Sequence, residues 1–272
     1  MKLDSLKATL NNRRAFTRSL GLASAGIAAS LAKVETADAQ SLASGDIAIL
    51  QFALNLEYLE AEFYTMAVTG QSISQMGIGI TGSGSAGATT GGQKVTFIAG
   101  SSLANSAAEI GADERAHVTL LRNTLTSLGV TPIAKPAINL AALGTGFQSQ
   151  EAFVGLARAF EDVGVSAYGG AAPMLQSTTI LGYAARILAA EAEHVGNLRL
   201  HASLYQVPTM ALDKFDILPP PSGTQYISVD SNGLAAVRTP GQVLSIVYGN
   251  SSATSGGFFP AGVNGTLNSS SM

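Results

Sequence analysis

The sequence predicts an all-α protein: a four-helix bundle with a long crossover between helices two and three, followed by a C-terminal extension of short β-prone or irregular segments. Three observations lead there. Four stretches repeat apolar residues at i, i+3 or i+4 spacing. The breaks between them are rich in Gly, Ser, Thr and Pro. The second break is longer than a helix hairpin needs.

Helix one is expected over about residues 46–68, with Asp46 as its N-cap and a seam of Leu50, Leu54, Glu57, Ala61, Tyr64 and Val68. A Gly/Ser-rich insert, residues 70–92, follows; with so little side-chain bulk it is expected to be a flexible excursion. Helix two is expected over about 97–128, stopped by Gly129, with the seam Leu103, Ala107, Ile110, Glu114, His117, Leu121 and Leu128. The connection 130–147 contains Pro132 and Pro136 and is long enough to cross a bundle from end to end. Helix three is expected over about 150–168, with Val154, Ala157, Glu161, Val165 and Tyr168 inward. A tight break, Gly169-Gly170-Ala171-Ala172-Pro173, makes it the antiparallel neighbour of helix four, over about 177–205. That last seam is Ile180, Ala184, Ile187, Glu191, His194, Leu198, His201 and Tyr205. The bundle thus occupies residues 40–205. The extension, 206–272, holds Pro219-Pro220-Pro221, β-prone runs at 226–229 and 243–248, and a Gly/Ser/Asn-rich end from Gly249 expected to drape over the surface or stay disordered.

Composition narrows the function. Of 272 residues, 46% are apolar and only 12% charged, about half the usual share. With no cysteine, disulfides, thiolate zinc sites, iron–sulfur clusters and a cysteine nucleophile are excluded, so any metal must be held by His, Asp and Glu. The basic residues are few and unclustered, which argues against a nucleic-acid partner.

Charge is unevenly placed: residues 1–39 carry Lys2, Lys7, Arg13, Arg14, Arg18 and Lys33 against Asp4, Glu35 and Asp38. Arg13-Arg14 with Phe16, an apolar stretch over 20–31 and the small-residue site Ala37-Asp38-Ala39 follow the order of a signal peptide cleaved after Ala39. The arginine pair resembles a twin-arginine export signal, which makes the export machinery a partner and the periplasm or extracellular space the destination. An ordinary secretory signal with two arginines is the alternative. The twin-arginine route carries folded proteins, so a metal could be loaded in the cytoplasm. No apolar run of transmembrane length follows, so no stable membrane anchor is expected after cleavage.

The chemistry lies in the seams. Each contains one glutamate: Glu57, Glu114, Glu161 and Glu191. Two are followed by histidine, in Glu114-x-x-His117 and Glu191-x-x-His194. Residues three apart share a helix face, so each pair can point at one spot in the bundle interior. Four inward carboxylates would repel and lose hydration at several kcal/mol per ion. Two divalent cations would compensate, in the arrangement known for di-iron and di-manganese bundles. An exposed Glu–His contact, worth a few tenths of a kcal/mol, is the alternative for each pair. Glu60 competes with Glu57 as ligand or accepts beside it; the seam position and spacing to Tyr64 favour Glu57. Asp162 is expected to be solvated. His201, seven residues or roughly 10 Å beyond His194, is expected to be a core histidine.

With these residues in place, the chain resembles the ferritin-like superfamily, and within it an exported, desiccation-related branch. The resemblance covers roughly residues 46–250 and is carried by Phe52-Ala53-Leu54-Asn55-Leu56-Glu57-Tyr58-Leu59-Glu60-Ala61-Glu62-Phe63-Tyr64, by Gly170-Ala171-Ala172-Pro173 and by Arg238-Thr239-Pro240-Gly241-Gln242-Val243-Leu244. It implies that Glu57 and Glu161 are terminal carboxylates, that Glu114 and Glu191 bridge two Fe or Mn ions, and that His117 and His194 each cap one metal. Tyr64 and Tyr168 each follow a ligand glutamate by seven residues, either as packing residues or as redox participants; no catalytic group beyond the ligands is implied. The repeated order Glu-x6-Tyr then Glu-x-x-His is what duplication of a helix pair would leave. Carboxylate-rich ligation with two imidazoles suits iron or manganese, with dioxygen or peroxide binding between the ions, and points to Fe(II) oxidation or to peroxide or superoxide consumption in stress protection, or else to a metal-stapled structural role under drying. Iron storage in a cage fits less well, because the insert and tail would obstruct cage packing. Low-charge surfaces are compatible with a homodimer.

Overall fold

The structure, a computed structural model, describes residues 44–272. Arg13, Arg14, Phe16 and Ala39, expected to mark a signal peptide, lie outside the described residues. Four long helices form the bundle: α1 Ser44–Thr69, α2 Ser102–Ser127, α3 Gln150–Ala171 and α4 Thr178–Leu204. A short C-terminal helix, α5, spans Pro240–Tyr248. α1 packs mainly on α2 and α3 on α4.

Serines start three of the helices. The hydroxyls of Ser101, Ser149 and Ser177 accept from the backbone N–H of Ala104, Ala152 and Ile180, capping α2, α3 and α4. Asp46 lies inside the first turn of α1, and its carboxylate accepts from the N–H groups of Gln176 and Ser177 at 2.8 Å each. The residue expected to cap its own helix therefore secures the start of α4, placing the N-termini of α1 and α4 at the same end. The order is up, down, down, up, and the connection between α2 and α3 has to run the length of the bundle.

That connection lies along α1. Tyr58 donates to the Ile133 carbonyl, Lys135 reaches Glu62 at 3.5 Å, and Phe147 packs on Phe63 with ring centroids 5.2 Å apart. The insert, expected to be a free excursion, is instead laid parallel to this crossover. Strand β1, Thr89–Thr90, pairs with β2, Ile138–Asn139, and Ser83 bridges Ile133. Its glycines are what let two backbones approach: a Cβ at Gly82 would sit 2.0 Å from the Pro132 carbonyl, and one at Gly87 2.4 Å from Ala137. Asn264 of the C-terminal tail joins insert, crossover and α1, bonding Ser85, Ala134 and Asn55. Covered on all sides, α1 is buried from Phe52 through Thr65.

Two further expectations are corrected. Gly169 and Gly170 do not break α3, which continues to Ala171 and a 3-10 turn over Ala172–Met174. A Cβ at Gly170 would meet the Arg238 carbonyl at 2.0 Å, so glycine here admits a crossing segment rather than a turn. The β-prone run 243–248 is helical. Thr239 and Gln242 form a reciprocal capping box, Pro240 opens the helix and Gly249 closes it in the left-handed conformation at φ 67°. The run 226–229 forms no strand. Residues 206–239 are strapped onto α3 and α4 by three buried arginines: Arg199 of α4 donates to the carbonyls of Ile217, Gln225 and Tyr226, Arg158 of α3 to Asp216 and Met210, and Arg238 of the segment itself to the Ser166 hydroxyl of α3. No helix among the described residues is long and apolar enough to cross a membrane.

Candidate metal centre

All six seam residues meet at the middle of the bundle. Glu57 on α1, Glu161 on α3, Glu114 on α2 and Glu191 on α4 are each 0% exposed, and His117 and His194 are 9% and 7% exposed. The centre is thus nearest to solvent on its histidine side. His117 Nδ1 lies 3.2 Å from Glu57, 3.4 Å from Glu114 and 3.5 Å from Glu191. His194 Nδ1 lies 3.2 Å from both Glu114 and Glu161. Two ligand groups result: Glu57, Glu114, His117 and Glu191, and Glu114, Glu161, Glu191 and His194. The ligand atoms of each lie within 4.8 Å of one another. Glu114 and Glu191 belong to both groups.

The donors fit a pair of cations. Glu161 Oε1 and Glu191 Oε2 are buried with neither a hydrogen bond nor an ionic contact, and Glu57 Oε2, both oxygens of Glu114, Glu191 Oε1 and His117 Nδ1 meet one another or His194 only at ionic distance, without hydrogen-bond geometry. Proteins seldom leave such atoms unpaired, since each costs about 1–3 kcal/mol or more. A carboxylate-rich set with two imidazoles suits hard ions.

Without a cation the cluster gathers protons. Burial, then the charge of Glu57, pushes the Glu114 carboxyl up to about 7. Burial and the neighbouring carboxylates hold Glu60 and Glu191 well above the ordinary range. Burial would lower both imidazoles, but Glu57 and Glu114 around His117, and Glu114 and Glu161 around His194, raise each to about 11. Burial also opposes ionisation of Glu57, yet His117 and the Tyr168 hydroxyl bring it below the usual value. A metal ion entering this cluster competes with those protons.

The two tyrosines cross over. The Tyr168 hydroxyl, on α3, donates to Glu57 on α1 in a short hydrogen bond. The Tyr64 hydroxyl, on α1, is buried without a partner, and burial together with the charge of Glu161 on α3 raises its pKa well above the usual value. Glu60 is buried beside the cluster. The matching position after Glu161 is Gly164, where a Cβ would stand 2.5 Å from Glu191 and 3.5 Å from Glu60. Glycine there leaves the room that Glu60 and Glu191 occupy.

Two expected placements need comment. Asp162 is not solvated: it is buried, 2.9 Å from Arg199 and 3.2 Å from Arg158. His201 is a core residue, stacked on Tyr205 with ring centroids 5.6 Å apart and distinct from the ligand groups. Asp113 was not singled out from the sequence, yet its carboxylate lies 3.3 Å from His194 Nε2. Contacts of this kind orient a metal-binding imidazole. The signal was its place immediately before Glu114, which turns it toward α4 while Glu114 points inward.

A bundle of this order with two overlapping carboxylate–histidine groups in its core defines a ferritin-like domain with a candidate dimetal site. Comparison with known families agrees: the Ferritin-like domain family matches residues 45–203, more than half of the chain, and the chain belongs to it. No curated protein matches the sequence.

Proposed function

We propose that this protein is an exported ferritin-like oxidoreductase that binds two Fe or Mn ions and consumes dioxygen or peroxide in stress protection. The observation that carries the reading is the sharing of Glu114 and Glu191 between two groups most of whose buried oxygens have no hydrogen-bond partner. Glu57 with His117 and Glu161 with His194 would hold the outer side of each ion. When bound, such a pair supplies two electrons, one from each ion, with which dioxygen and two protons give hydrogen peroxide, or hydrogen peroxide and two protons give two waters. The chain's own contribution is positional: Tyr168 fixes Glu57, Asp113 fixes His194, and the apolar bundle excludes water. Export through the twin-arginine machinery to the periplasm or beyond rests on the sequence pattern around Arg13 and Arg14, and the stress role on the resemblance to desiccation-related proteins.

Metal analysis of the purified protein, with oxygen uptake after anaerobic Fe(II) addition, tests this. Two ions per chain and prompt uptake are expected. Glu114→Gln with Glu191→Gln should abolish metal binding; retained stoichiometric metal would refute the ligand assignment. The burial of so many carboxylates also favours a second reading, in which the ions staple the bundle. It predicts a melting temperature that depends on metal in a protein whose loaded form consumes no oxidant.

A further inference from the structure

The metal layer has different neighbours at its two ends. Toward the C-terminal end of α1 the core is closed by aromatic rings: Phe63 stacks on Phe153, Tyr64 meets both rings edge-on, and Phe160, Phe147 and Phe97 surround them at centroid distances of 5.0–5.2 Å. Toward the other end there is an apolar cavity of about 30 Å³, partly open to solvent, with the half-buried Leu175 and Tyr183 in its wall. Its walls include Ala53, Leu121 and Ile187. They stand one helical turn, about 6 Å, from Glu57, His117 and Glu191 respectively, on the same helix faces. Tyr168 completes the wall nearest the metal layer, with its ring on the cavity and its hydroxyl on Glu57. The cavity is therefore the layer next to the candidate metals, separated from them by one phenol ring.

The lining is almost wholly apolar. Its buried hydroxyls are already engaged, Thr124 donating to the Leu120 carbonyl and Tyr168 to Glu57, while Tyr183 is half-buried. The volume exceeds the roughly 10–15 Å³ that one water-sized molecule needs, and so apolar a lining holds water weakly and favours apolar guests. Hydrogen peroxide, with several hydrogen bonds to satisfy, would lose them here. Dioxygen has none to lose.

We propose that this cavity binds a small apolar gas and delivers dioxygen to the Tyr168 side of the metal centre. This rests on the redox reading above and selects dioxygen, rather than peroxide, as the oxidant that arrives by this path. The test uses the full chain. Metal-free protein under xenon pressure should show xenon between Ala53, Leu121, Ile187 and the Tyr168 ring, by crystallography or xenon NMR. Ala184→Leu fills the cavity from α4 and should expel the xenon; Ala53→Leu does so from α1 and replaces it if the first variant melts early. A filled variant that still binds Fe(II) at wild-type stoichiometry should be oxidised by dioxygen roughly ten-fold more slowly, and by added hydrogen peroxide at the wild-type rate. No xenon in the wild type, or a wild-type dioxygen rate in a variant that has lost xenon, overturns the proposal and leaves the redox reading standing. Bound xenon with no oxygen uptake by metal-loaded wild type overturns the redox reading, and dioxygen delivery with it.

Discussion

Tyr168 is the side chain that ties the candidate metal centre to the rest of the core. Its hydroxyl is the donor that Glu57 Oε1 receives from α3, and hydrogen bonds to charged groups are worth about 1.5–3 kcal/mol. Tyr168→Phe is expected to lower stability by about that amount in metal-free protein and by less in metal-loaded protein, where a cation also compensates Glu57. Paired thermal melts check it. Asp213 gives a residue-level test of pH dependence. It meets Arg238, which is 2% exposed, through two hydrogen bonds of 2.8 and 2.7 Å. Burial alone would raise its carboxyl, but the Arg238 hydrogen bonds outweigh this and hold the pKa below the ordinary value. A lowered folded-state pKa means the stabilisation is full above the unfolded carboxyl's pKa and is lost as pH falls through the folded value. Asp213→Asn should therefore cost about 2–3 kcal/mol at neutral pH, with the gap to wild type closing in acid. Urea unfolding across pH measures it.

At the scale of elements, the pairing of insert and crossover holds α1 in place. Gly87→Val would drive a side chain into Ala137, whose backbone nitrogen is 2.4 Å from where the Cβ would stand, and should cost about 2 kcal/mol or more. Faster proteolysis within residues 70–92, with the candidate ligand cluster intact, is the expected readout. This ladder shows where the sequence was opaque. The four helices, their seams and all six candidate ligands were legible because a period of 3.6 repeats over many turns and because glutamate on an apolar face is conspicuous. Two short strands between irregular segments have no period to detect, and glycine needed for close approach looks the same as glycine in a flexible linker. The same ambiguity hid Gly170 inside α3, while β-branched residues hid α5, whose caps at Thr239, Gln242 and Gly249 held the better information. Asp162 was misplaced because its partners, Arg158 and Arg199, come from two helices brought together only in the fold.

At the scale of the whole molecule, the bundle is two similar helix pairs facing each other. Tyr58 and Asp162 each follow a candidate ligand glutamate by one residue, and Arg122 and Arg199 each follow a candidate ligand histidine by five. Arg122 donates to Tyr58 at 2.5 Å and Arg199 to Asp162 at 2.9 Å, so equivalent positions make equivalent contacts. The pairs meet at Glu57, Glu60, Glu114, Glu161 and Glu191, all buried, and that meeting is where a metal would act on the fold as a unit. Lys135, Arg158, Arg199 and Arg238 are buried too, each beside an aspartate or glutamate of its own, so they are not free to compensate the cluster. Cations that bind only the folded bundle stabilise it by about 4 kcal/mol at a thousand-fold excess over Kd, which for a domain of this size raises Tm by roughly 8–16 °C. Chelation should lower Tm by that interval. Sodium chloride should not restore it, because the cluster is buried beyond the reach of ionic screening. Calorimetry with and without chelator, repeated on Glu114→Gln with Glu191→Gln, should show the interval in wild type and none in the double variant. Equal melts for chelated and loaded wild type would mean that the two helix pairs are held together without metal.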